Sequence, residues 1–324
     1  MKTRNLCPLS VAAWSLLALM LFASPFCIRG QTGGVRQKQG DDELRNIWDD
    51  GLVRKRPRPT GKRKSYRFKR VTPALSQVGG GRPGAQRRDV VVGVTVWRLR
   101  PSLPSDEVRE LVHVAPAGEP AGGGLNLTAE RTEAGTPLSA GERVRISVES
   151  PRAGYLYVVN REQYRDGTSG PPVLIFPTER TLEGNNQVQA GRVVTIPARG
   201  DDPPFFTVRP NPRRKDQVAE LLLVILSEQP LGLSPAPEAQ VLSAVLVDGW
   251  EKTWAAPFER LEQEGGAGTP ITEAELEAGA GGRHELTQGD PAPQTIYHVK
   301  ARSGVPVLLR LSLPFKGAEE LKAR

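Results

Sequence analysis

The sequence predicts a mainly-β fold: a β-sandwich-like domain with a small helical insertion, preceded by a basic N-terminal segment without fixed structure. Three observations predict it. Gly141 to Ser150 alternates apolar and polar residues, with Val144, Ile146 and Val148 on one side and Arg145, Ser147 and Glu149 on the other. Leu221 to Leu226 is a run of six apolar residues, the pattern of a strand covered on both faces. Turn formers separate the apolar runs, at Pro151 to Gly154, Asp166-Gly167 and Asn185-Asn186. The alternative fold is α+β, because the apolar period changes beyond Pro235.

Met1 to Gly30 reads as a secretory signal. Lys2 and Arg4 precede Val11 to Phe22, an uncharged apolar run of twelve residues, too short to span a bilayer comfortably. The expected cut follows Gly30, and an uncleaved anchor is the alternative. Pro25 and Phe26 before Cys27 make a poor lipidation site. Cys7 and Cys27 are the chain's two cysteines, so a chain cut after Gly30 has no thiol, disulfide or cysteine-based metal site.

Residues 31–88 read as a disordered basic and Gly/Pro-rich linker, in which Asp41 to Trp48 has the makings of one or two helical turns. Residues 54–70 carry ten Lys or Arg and no acid, and charge repulsion with few core-forming residues favours an extended chain. Residues 1–88 carry 19 Lys or Arg against 5 Asp or Glu, a net +14, which leaves −6 for residues 89–324 of the chain's +8. The positive charge therefore belongs to the tail. Specific nucleic-acid recognition is not expected, because such a domain carries its positive charge on the fold. Electrostatic contact of residues 54–70 with anionic lipid or polymer is the sharper reading of the tail, and a solvated spacer the blander one.

Residues 89–324 read as one β-rich domain. Asp89 to Arg100 is its first strand, with Val90, Val92, Val94 and Val96 on one face and Trp97 and Leu99 on the other, hence a central strand. Residues 101–140 are richer in Pro and Gly; Ala121 to Gly124 reads as a loop, and Asn126-Leu127-Thr128 matches a glycosylation acceptor. Further strands follow at Tyr155 to Val159, Val173 to Phe176, Val188 to Pro197 and Phe205 to Val208.

Gly154-Tyr155-Leu156-Tyr157-Val158-Val159, Leu174-Ile175-Phe176-Pro177, Asn186 to Gly191 with Ile196-Pro197, and Leu222 to Leu231 together resemble the bacterial domain of unknown function 4384. The resemblance covers about residues 138–232, and the whole layout is similar to exported acidobacterial members. It implies a β-rich accessory module and no activity, ligand or catalytic residue.

The helical insertion is expected within residues 237–280. Val247, Trp250, Trp254, Phe258 and Leu261 fall at helical spacing, with Pro257 predicting a kink or a junction of two helices. This reads as a stripe packed on the sheet. Thr272 to Ala278 is a second helix, Thr272 and Glu275 being spaced for a capping box. Strands return within 294–313, where Val307, Leu309, Leu311 and Leu313 share a face and are expected to pair with the Val90 strand.

Chemistry is weakly marked. His113, His284 and His298 are scattered, and Asp201-Asp202 is a pair on a loop, so no metal is expected. No nucleophile elbow is present, and Gly79 to Gly81 and Gly122 to Gly124 lack the flanks of a phosphate cradle. Glu162 and Asp166 read as solvated loop charges, and Tyr155 with Tyr157 as core rather than a stacking platform. No catalytic, cofactor-binding or metal residue and no cofactor is assigned. The expectation is a non-catalytic binding or scaffolding module, exported to the periplasm, cell surface or medium, whose partner is an unidentified protein or envelope polymer. A hydrolase with an unrecognised site, or a basic tether that binds anionic lipid, polymer or nucleic acid, is the alternative.

Overall fold

The computed structural model describes residues 33–59, 62, 64–71, 87–112, 124–280 and 285–316. Met1 to Gly30, the glycine run at 79–81, His113 and His284 lie outside the described residues. The chain runs α1 (Gly33–Gly51), β1 (Phe68–Val71), β2 (Arg87–Pro101), β3 (Glu110–Val112), β4 (Leu125–Thr132), β5 (Arg143–Glu149), β6 (Gly154–Tyr164), β7 (Val173–Phe176), β8 (Gln187–Val188) and β9 (Val193–Ile196). It continues β10 (Phe206–Thr207), β11 (Gln217–Ser227), β12 (Gln240–Val241), α2 (Ala244–Trp254), β13 (Phe258–Gln263), α3 (Glu273–Ala278), β14 (Thr295–Arg302) and β15 (Val307–Pro314).

These strands form two sheets, and every named strand pair is antiparallel. The first has nine strands, in the order β1-β13-β14-β2-β4-β3, with β5 also on β2 and β9 and β10 on β5. The second has six, in the order β12-β7-β6-β11-β15, with β8 on β6. The fold is mainly β, as the alternating patterns require. Between the sheets lies the main core, where Val92, Val94, Val96, Val144, Ile146 and Val148 meet Leu156, Val158, Leu222, Val224, Leu309 and Leu311.

β2 organises the first sheet. Its valines at even positions enter the main core, while Trp97 and Leu99 pack on the outer face with Leu127, Phe205 and Leu276. Its first half pairs with β14 and its second with β4 and β5. The handover falls at Gly93, where a Cβ would lie 2.7 Å from the Pro293 ring and 3.2 Å from the Glu149 Cβ. In β11, Leu222, Val224 and Leu226 face the other sheet, and Leu221, Leu223 and Ile225 face outward against Val247 and Trp250 of α2. Both faces are covered, as six successive apolar residues predict.

Three expectations are corrected. Residues 31–88 are not wholly a linker. α1 and β1 belong to the fold, and Leu44, Trp48, Leu52, Val53 and Phe68 are buried with Val91, Leu261 and Ile296. A few well-spaced apolar residues outweigh the mean composition, because burial counts area removed from water rather than average hydropathy. Phe258 and Leu261 are on strand β13, not on a helix. α2 ends at Trp254, before Pro257, which lacks the N–H a helix needs. β15 pairs with β11, not with β2, whose hydrogen-bonding edges β14, β4 and β5 already occupy. Residues 101–140 contain β3 and β4.

α3 shows the expected cap. Glu275 donates its N–H to Thr272 Oγ1 at 3.3 Å, and Thr272 donates its N–H to Glu275 Oε2 at 3.0 Å. The Thr272→Ala variant is expected to lose about 1 kcal/mol, read from the urea midpoint. A shift below a few tenths would show that the cap contributes nothing.

Candidate functional site

A cavity of about 560 Å³ opens between the sheets where β5 and β10 face β6, β7 and β11, with Leu313 of β15 also in its lining. Its walls are apolar: Val144, Ile146, Val173, Ile175, Phe206 and Leu222. The polar end is built by period-two alternation. Leu156 and Val158 of β6 point into the core, so Asn160 and Glu162 continue on the same face. Leu222 and Val224 of β11 do likewise, which puts Glu220 there too. The register sets Glu220 directly opposite Glu162.

The two carboxyl groups sit in different hydrogen-bond settings. Asn211 donates from Nδ2 to both oxygens of Glu162, at 3.0 Å each, and the Tyr164 hydroxyl donates to Glu162 as well. Gln217 donates from Nε2 to Glu220 at 2.9 Å and accepts the Asn211 N–H at 2.6 Å. The Arg214 guanidinium lies 3.5 Å over the Tyr164 ring. Glu220 is held above the ordinary carboxylate range chiefly by burial and also by the Glu162 charge, against hydrogen bonds from Asn160 and Gln217. Asn160 Oδ1 and Glu220 Oε2 are both buried without a hydrogen-bond partner.

A second cavity, about 290 Å³, adjoins the first across Ile175 and Phe206 and contains Asp201, Asp202, Arg180 and Glu238. Asp201 accepts from the Thr181 hydroxyl and from the Ala198 N–H, and burial pushes its carboxyl up.

The residues singled out by sequence fall as follows. Tyr157 is core, and its hydroxyl accepts the Leu231 N–H at 2.9 Å. Tyr155 packs beside the same cluster. Glu162 is not a solvated loop charge: it is half-buried on β6. Asp166 is exposed and pairs with Arg214 at 3.3 Å. Trp250 and Trp254 stack at 5.0 Å on α2. His298 lies against Asp89 and Glu259. Among the described residues no three metal-capable side chains gather, and no helix is long and apolar enough to cross a membrane. Within the basic run, Arg54 pairs with Asp50, Arg56 with Glu149, Lys69 with Glu133 and Arg70 with Glu43. Arg58, Lys62, Lys64 and Arg67 are exposed. Sequence reading missed Glu220, although a lone acid in phase with Leu222, Val224 and Leu226 was a legible signal.

No curated protein and no solved structure matches this chain. Residues 138–230 match the family model described as Domain of unknown function (DUF4384), the region that holds β5 to β11 and most of the cavity lining. The chain therefore carries, over residues 138–230, a domain of that family.

Proposed function

We propose that this protein is a non-catalytic binding or scaffolding module, exported to the cell envelope, and that its ligand enters the cavity at the seam of the sandwich. The observation that carries the reading is the cavity itself. At about 560 Å³ it lies in the range of ligand sites, with apolar walls and a few polar groups converging at one end. Its lining includes no Ser, Cys, His or Lys. The N-terminal signal pattern supports export, and the exposed cations Arg58, Lys62, Lys64 and Arg67 suit contact with anionic envelope material. A second reading, a hydrolase, rests on one observation: Glu162 and Glu220 form a carboxyl pair in unlike surroundings, which is how acid and base roles are divided.

Affinity capture from envelope extract, with the full chain and with Val173→Trp to fill the cavity mouth, tests the first reading. Material retained by the wild type and lost by the variant is the expected result. Equal capture by both would remove the cavity from the function. Turnover of envelope glycans, peptides or esters that disappears in Glu220→Gln would replace the binding module with the hydrolase.

A further inference from the structure

This fold buries several carboxylates against arginine. Glu149 is held by Arg56 at 2.7 Å, Glu110 by Arg145 at 3.1 Å and Glu275 by Arg131. Glu162 and Glu220 are treated differently. They stand opposite each other on neighbouring strands, and among the described residues neither forms an ion pair. Their donors are neutral: Tyr164, Asn211 and Gln217. Arg209, the cation in the lining, is exposed at the rim and pairs with neither. Like charges directly opposite each other destabilise a sheet, and removing them from water without a counter-charge adds to that cost. The site lacks one component, a positive charge, and the cavity beside it has room to admit one.

The walls select what carries that charge. A divalent ion is held through oxygens, whereas Asn211 and Gln217 turn amide nitrogens to these carboxyl groups and Val144, Val173, Ile175, Phe206 and Leu222 supply no side-chain oxygen. An apolar stem suits those walls. We propose that the cavity binds an organic cation, an ammonium or guanidinium on an apolar stem, with the charge between Glu162 and Glu220 and the stem along Val173, Phe206 and Leu222. The inference rests on the reading of the cavity as the binding site and names the chemistry of its ligand. A free amine and a lysine or arginine side chain of an extended polypeptide both supply that chemistry.

The test is calorimetric titration of the full chain with n-butylammonium, with 1-butanol as the uncharged probe of similar stem, and with acetyl-Ala-Lys-Ala-amide. The ammonium is expected to bind at least ten-fold more tightly than the alcohol. Glu162→Gln/Glu220→Gln should bring its affinity down to that of the alcohol and leave the alcohol unchanged. That double variant relieves repulsion and is expected to fold; Leu222→Trp, which fills the cavity from its wall, is the second variant and should abolish binding of both. A peptide tighter than butylammonium by ten-fold or more identifies a polypeptide source, and equal affinity a free amine. If the alcohol binds as tightly as the ammonium, the cation inference falls while the cavity remains a binding site. If no probe binds, both fall.

Discussion

Replacing Arg56 by methionine is expected to cost about 3–5 kcal/mol of stability, the usual consequence of leaving one member of a buried ion pair alone. Arg56 donates from Nε and Nη2 to the two oxygens of Glu149, at 2.7 Å each. Its Nη1 reaches the carbonyls of Thr287 and Pro291, at 3.3 and 3.0 Å, and its guanidinium lies 5.1 Å from the Trp48 ring. Side-chain exposure is 1% for Arg56 and 2% for Glu149. This clasp fastens the N-terminal segment to the end of β5. Gly191 completes it, since at φ +76 a Cβ there would sit 2.8 Å from the Lys55 carbonyl. Arg56→Met/Glu149→Met should recover most of the loss, because no lone buried charge remains. Urea midpoints with unchanged m values are the measurement. A single-variant cost under 1 kcal/mol would sink the account. The same packing predicts that a fragment beginning at residue 89 folds poorly, having lost Leu44, Trp48, Leu52 and Phe68 from the cluster over Val91, Leu261 and Ile296.

Glu262→Gln is expected to stabilise the protein, and more so as pH rises. Glu262 lies on β13 with its side chain 1% exposed. It accepts the Thr295 hydroxyl at 2.9 Å, and Arg260 approaches at 3.5 Å. Burial, opposed by Thr295, Arg260 and Gln294, lifts its carboxyl from the ordinary 4.5 to about 7. Between those two values the folded chain holds a proton that the unfolded chain has released. Stability therefore falls as pH rises through this window, and the full cost is present above it. At 1.36 kcal/mol per unit the cost is about 3 kcal/mol at pH 8 and about 1 kcal/mol at pH 5. Glutamine keeps the Thr295 hydrogen bond and carries no charge. The stability difference between variant and wild type should thus grow by about 2 kcal/mol from pH 5 to pH 8. A difference that does not change with pH would refute the assignment.

The candidate site was partly readable in advance. The alternation that sends Leu156 and Val158 inward carries on to Asn160 and Glu162, and the one that sends Leu222 and Val224 inward carries back to Glu220. What no period reveals is that β6 and β11 are neighbours in a register that sets the two acids opposite each other. Asn211 and Gln217 were invisible for the same reason: they reach the carboxyl groups from a loop and a strand end whose positions depend on the assembled sheets.

By itself the sequence determined local geometry: that β2, β5, β6, β7 and β11 pleat, which of their faces are apolar, where α3 begins and that Pro257 interrupts a helix. Those are interactions between residues a few positions apart, and their energies are set before the chain closes on itself. The tertiary structure alone decided that β15 lies on β11, that Phe258 to Gln263 is a strand, and that a basic N-terminal segment belongs to the fold. Each of these depends on a partner far along the chain, Leu221, Ile296 or Glu149, and on the free energy of removing both partners from water together.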